Sequence, residues 1–113
     1  MTDKQFTSIF SRLPFEHSVI ALLMRYERMK LTKCLTMSIR DGMASGVGIA
    51  HVHAMRRLSR SGVSDDKLLF VAKSGGIIKI STIQKSVEKA GKEAGYKRRV
   101  SVRALAQVAS PLD

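Results

Sequence analysis

A chain of 113 residues, 44% of them apolar, can form one modest core and is too apolar to be wholly disordered. Twenty Lys and Arg against nine Asp and Glu give a formal net charge of +11, which calls for a polyanionic partner, nucleic acid first and a membrane surface second. The lone cysteine, Cys34, excludes an intrachain disulfide and a cysteine-built zinc site.

In chain order, Thr2 and Gln5 form a capping box, followed by Phe6, Ile9, Phe10 and Leu13 at i, i+3, i+4 and i+7. This predicts an amphipathic helix ended by Pro14. A second helix is expected from about Glu16 to Met29, apolar around much of its girth through Val19, Ile20, Leu22, Leu23, Met24 and Tyr26. Arg25, Arg28 and Lys30 gather at its far end. The run Leu31 to Met37 suits a short helix capped at Thr32. Asp41-Gly42 marks a turn, and Ser45 to Gly48 a looser one. Its lone G-x-G lacks the completion and the preceding strand of a nucleotide-binding loop.

Val47 to Ser59 reads as a helix with Val47, Ala50, Ala54 and Leu58 on one face and Arg56, Arg57 and Arg60 clustered towards its end. His51 and His53 diverge on a helix, and no carboxylate or cysteine lies at ligand spacing, so no metal or other cofactor is expected. Ser64-Asp65-Asp66 is a polar turn. Leu68 to Ala72 and Ile77 to Ile80, around Lys73-Ser74-Gly75-Gly76, predict a short β-hairpin.

From Ile80 the chain reads as helix, basic turn, helix. Ser81 and Gln84 suggest a capping box with the helix starting at Thr82, and Ile83, Val87, Ala90 and Ala94 supply its apolar face. Gly95 is placed to stop it in a left-handed C-cap. Tyr96-Lys97-Arg98-Arg99 follows, and Ser101 caps a last helix through Val102, Leu105 and Val108. A basic turn between two capped helices, with Arg103 one turn into the second, can grip phosphate. It can equally be a solvated charge run joining two packing helices. The expected fold is therefore a mostly α single domain, residues 1–113, of about five helices and one short hairpin.

The segment STIQKSVEKAGKEAGYKRRVSVRALAQVA resembles the C-terminal part of the tyrosine recombinase catalytic domain, the phage and integron integrase family. In that family a helix ending in Ala-Gly leads through a basic turn to a box of the form V-[ST]-x-H-x-L-R-H. The box here reads Val100-Ser101-Val102-Arg103-Ala104-Leu105-Ala106-Gln107. Arg103 stands at the family's histidine, Ala106 at its second catalytic arginine and Gln107 at its next histidine. YERMKLTKCLTMSIRD is similar to the segment delivering the first catalytic arginine, with Lys30 in that arginine's place, Thr32 at the Ser/Thr cap and Lys33 at the usual glutamate. LLFVAKSGGIIKIS resembles the lead into the helix before the box. The family's β-hairpin with its active-site lysine has no room between Asp41 and Val47.

The resemblance runs from Thr2 to Ala109 and implies a reduced recombinase catalytic domain without its chemistry. Lysine offers a point charge where a scissile phosphate needs an arginine's planar fork. The sequence ends at Asp113, ahead of the region expected to carry the nucleophilic tyrosine, and neither Tyr26 nor Tyr96 occupies that position. A covalent phosphotyrosyl mechanism needs that tyrosine and charge stabilisation of the phosphate. The expectation is a non-catalytic duplex-DNA-binding protein, a regulator or accessory factor of a plasmid or other mobile element. Lys30, Arg56, Arg57, Arg60, Lys97, Arg98, Arg99 and Arg103 are its DNA-binding residues. A homodimer on an inverted repeat would raise its affinity.

Two alternatives use the same residues. One is a protein-interaction module modulating an active recombinase. The other is an RNA-binding protein, against which the 5% aromatic content offers few stacking platforms. The opening MTDKQF lacks a signal-peptide pattern and no apolar run reaches membrane-span length, so a cytoplasmic, nucleoid-associated protein is expected, with no membrane partner.

Overall fold

The computed structural model describes residues 1–44, 48–60 and 62–106. Among them are seven helices and no strand: α1 (Asp3–Phe10), α2 (Phe15–Tyr26), α3 (Leu31–Thr36), α4 (Ile39–Ala44), α5 (Ile49–Leu58), α6 (Ile80–Glu93) and α7 (Val102–Ala106). They fall into two compact units. Met1–Met29 joins Ile80–Asp113 in the first, and Lys30–Lys79 forms the second.

In the first unit, α1 packs on α6, α2 on α7, and α6 on α7. The start of α1 is set by the expected capping box. Gln5 N–H donates to Thr2 Oγ1 at 3.2 Å, and Thr2 N–H to Gln5 Oε1 at 2.9 Å. Phe6 and Ile9 are its buried side chains. Helix α2 ends at Tyr26, three residues earlier than expected. The Met29 N–H returns to the Leu23 carbonyl at 3.2 Å, and Arg28 between them takes φ +54°, a left-handed position that normally favours glycine.

Helix α6 starts at Ile80, so Ser81 lies inside it and the expected Ser81–Gln84 box is not formed. A distant donor has taken the Gln84 oxygen, since Val102 N–H donates to Gln84 Oε1 at 3.3 Å. The buried stripe of α6 is Ile83, Val87, Ala90 and Gly91. Gly91 is small for a reason: a Cβ there would lie 2.7 Å from Val100 Cγ2. The helix closes as its sequence implies. Gly95 has φ +91° and Tyr96 N–H donates to the Gly91 carbonyl at 3.1 Å. Ser101 then caps α7, accepting Ala104 N–H at 3.0 Å. Val108, assigned from the sequence to the same helix, lies outside the described residues.

In the second unit, α3 follows Lys30, whose backbone occupies the cap position in place of Thr32. Thr32 instead offers its carbonyl to Thr36 Oγ1 at 2.9 Å. The turn expected at Asp41-Gly42 is the middle of α4. Ser38 Oγ accepts Asp41 N–H at 3.1 Å while Asp41 Oδ2 accepts Ser38 N–H at 3.3 Å, a capping box that starts this helix. Gly42 faces α5, where a Cβ would meet Ala54 Cβ at 3.0 Å and the Ala50 carbonyl at 3.1 Å. Ser45 to Val47, read from the sequence as a turn and the start of a helix, are not among the described residues.

Among the described residues the expected hairpin from Leu68 to Ile80 forms no strand: Ala72 N–H donates to the Gly76 carbonyl at 2.9 Å across the expected turn, while the start of the segment pairs elsewhere. Ile39 N–H donates to the Lys67 carbonyl and Leu69 N–H to the Met37 carbonyl, both at 2.8 Å, with one antiparallel bridge between Ser38 and Leu68. Asp65, Lys67 and Leu69 each thus give one backbone group to residues 37–40. Lys73 to Gly76 form a turn, with Gly75 at φ +89°, and Ile80 has already entered α6. A bidentate ion pair, Arg40 to Asp65 at 2.9 and 3.2 Å, fastens the same crossing at the surface.

Candidate nucleic-acid interface

The basic turn of the first unit is built by its flanking caps. Left-handed Gly95 ends α6, Ser101 opens α7, and Val100 between them is buried against Gly91. Lys97, Arg98 and Arg99 are consequently exposed, and Arg103 is exposed on the first turn of α7. Arg99 is committed to Glu88 of α6 through its Nε. The amide of Gln84, donating to Glu88 Oε1 at 3.2 Å, and the Arg99 guanidinium hold the Glu88 carboxyl below its usual range. Lys97, Arg98 and Arg103 make no ion pair with a described residue. Arg103 makes no ion pair with Glu88 or Glu93 of α6, and Arg99 has taken Glu88.

Arg25, noted from the sequence only as one of several basic residues at a helix end, is the residue around which this unit is tied. It is 1% exposed. Its Nη1 donates to the Leu105 carbonyl at 3.1 Å, and its Nη2 to the Met1 carbonyl at 2.9 Å and Asp3 Oδ1 at 3.1 Å. Its guanidinium carbon sits 4.7 Å from the Phe6 ring centre. Arg25, helped by the Tyr26 hydroxyl, lowers the Asp3 carboxyl. Arg25 thereby fixes α7, and with it the start of the segment that displays Arg103.

The second unit carries the remaining expected residues. Lys30 is exposed at the N-cap of α3. At the end of α5 the arginine cluster divides. Arg57 turns inward, half-buried, and its Nη2 donates to the Leu68 carbonyl at 3.2 Å. Arg56 and Arg60 face outward and are exposed. Beneath them, His53 is buried with its ring 4.9 Å from that of Phe70 and nearly parallel to it. Burial first, then the charges of Arg57 and Arg56, push the His53 pKa down to about 4. His51 is turned to the Met43 carbonyl at 3.2 Å. No group of three His, Cys, Asp or Glu able to hold a metal occurs among the described residues.

An open depression of about 350 Å³ also lies in the first unit, between the α1–α2 turn and α6, and Arg12, Lys89 and Glu93 are on its wall. No helix among the described residues is long and apolar enough to cross a membrane. Comparison of the chain with models of protein families, with curated proteins and with solved structures gave no match.

Proposed function

We propose that this chain is a non-catalytic protein that binds duplex DNA, derived from a tyrosine recombinase and serving as a regulator or accessory factor of a mobile element such as a plasmid. The observation that carries the reading is a net charge of +11 whose cations include Lys97, Arg98 and Arg103, exposed on a turn and helix start held rigidly by Gly95, Ser101 and Arg25. Arginines displayed without carboxylate partners meet phosphate without first breaking a protein contact. The recombinase origin, and the absence of strand cleavage, rest on the sequence resemblance and on Lys30, Arg103 and Ala106 standing at the family's catalytic positions.

Fluorescence anisotropy with labelled duplexes tests the reading. Affinity is expected to fall with salt along a log–log line of slope roughly −0.9 per neutralised phosphate. Duplex should compete better than single strands or structured RNA, and a nicked suicide substrate should give no SDS-resistant adduct. Absence of binding to any duplex at low salt overturns the DNA reading. An adduct lost on Tyr96→Phe or Tyr26→Phe overturns the non-catalytic part.

A further inference from the structure

The outward face of α5 has a composition that phosphate binding does not explain. A helix turns about 100° per residue, so Val52, Met55 and Arg56, at i, i+3 and i+4, share one side of α5, and Ser59 and Arg60 follow, exposed, just beyond its end at Leu58. The opposite side holds Ala50, His53 and Ala54, buried, together with inward-turned Arg57. Val52 is 66% exposed and Met55 54%. Arg56 and Arg60 are exposed beside them, and Ser59 is small, its hydroxyl tied back to the Arg56 carbonyl at 2.6 Å. Helix α5 contains no acidic residue.

Two exposed apolar side chains gain nothing from phosphate. They gain from an apolar group set within an anionic surface. The major groove of B-DNA offers that pairing: thymine methyls for apolar contact, guanine O6 and N7 for an arginine fork, and phosphates on either rim. An α-helix fits its width, and ten residues span about 15 Å, enough for several base steps. Gly42 of α4 lets α5 pack closely through Ala50 and Ala54, which leaves the opposite face of α5 to solvent.

The geometry points to α5 as a base-reading helix that enters the major groove, with Val52 and Met55 against thymine methyls and Arg56 and Arg60 on guanine edges or the flanking phosphates. This inference rests on the duplex-DNA reading and adds sequence specificity and its location to it.

The test begins by selecting a preferred duplex from a random pool with the full chain. Thymines of the selected site are then replaced one at a time by deoxyuridine, which removes the C5-methyl alone. Wild-type binding should weaken at one or two thymines by roughly three- to five-fold, the size of one buried methyl group. Val52→Ala or Met55→Ala should abolish that difference. Arg56→Ala or Arg60→Ala should relax a guanine preference by roughly ten-fold. All four side chains are exposed, and a melting curve for each variant separates lost base reading from lost fold. Wild-type protein that selects no duplex at all removes the underlying DNA reading. A duplex preference untouched by deoxyuridine and by all four substitutions overturns the role of α5 while leaving DNA binding in place. Equal weakening on every sequence also overturns base reading.

Discussion

Arg25 donates to the Leu105 carbonyl at 3.1 Å from a side chain that is 1% exposed, joining α2 to α7 across 80 residues of sequence. A guanidinium withdrawn from water is tolerated because three oxygens from two distant parts of the chain surround it, those of Met1 and Asp3 at the start and of Leu105 in α7. Arg25→Met keeps much of the volume but leaves the Leu105 carbonyl without this donor, at a cost of about 2–4 kcal/mol. Arg25→Lys should rescue little, since one ammonium on a flexible stem cannot reproduce the planar fork. Asp3→Asn should matter far less, because Asp3 is exposed. Chemical denaturation of the three variants checks the order; a harmless Arg25→Met would remove Arg25 from the scaffold.

Gly91→Ala sets two opposing effects against each other. Alanine favours a helix interior over glycine by about 1 kcal/mol. The added Cβ, however, would sit 2.7 Å from Val100 Cγ2 and 3.1 Å from Val100 Cβ, on a short branched side chain that is buried. Overpacking of that kind costs about 1–3 kcal/mol, so a net loss is expected. In a double-mutant cycle, Gly91→Ala with Val100→Ala should lose less stability than the two single changes added together. Additive losses would mean that the two residues do not press on each other.

These two contacts also mark where the sequence was readable and where it was not. The caps at Thr2, Gly95 and Ser101 were legible because each is settled within a few residues. Gln84 was misread because its oxygen has a choice of donors, and the long-range one from Val102 took it. The hairpin's first strand was misread similarly, as Leu68 and Leu69 found partners at Ser38 and Met37 that no local pattern announces. Two signals were present and passed over. Ser38-Ile39-Arg40-Asp41 is a capping box hidden by the turn preference of Asp41-Gly42. Arg25 lies four and seven residues after Ala21 and Ser18, on the buried stripe of α2, where Arg28 does not. The division of the arginines on α5 was legible in the same way, since Arg57 follows His53 by four residues and shares its buried side.

His53 makes stability depend on mild acid. Its pKa is depressed to about 4 in the folded chain, against an ordinary value of 6.5, chiefly by burial beside Phe70. The unfolded chain therefore takes up this proton first as pH falls. The neutral ring's contribution is fully present above about pH 6.5 and is lost progressively towards pH 4, in total on the order of 3 kcal/mol. His17, lowered in the same direction by burial, adds to the trend. Between pH 6.5 and 5 the carboxylates are still ionised in both states, so the histidines dominate this window. Melting temperature should drop across it, and His53→Leu should flatten the slope whatever it does to the absolute melt. A wild-type melt that stays level from pH 6.5 to 5 contradicts the assignment.

Glu88 competes with DNA for Arg99. The two side chains are paired, and the exposed Arg99 must release this carboxylate, or carry it along, before gripping a phosphate. Arg103, exposed and without such a partner among the described residues, has no equivalent obstacle. The two arginines should consequently respond differently to substitution. Arg103→Ala should leave the melt unchanged and weaken duplex binding by about 1–3 kcal/mol, with the salt slope shallower by about one unit if it holds a phosphate. Arg99→Ala should weaken binding less, because part of its charge is already neutralised by Glu88. Glu88→Gln should strengthen binding, since it removes a negative charge from the interface and frees Arg99, while the Gln84 and Val102 contacts keep α6 and α7 joined. Anisotropy titrations at several salt concentrations, paired with melts of each variant, distinguish these roles. If Glu88→Gln leaves affinity and salt slope unchanged while Arg103→Ala melts early yet binds normally, the basic turn belongs to the scaffold and the DNA surface must be sought on α5 alone.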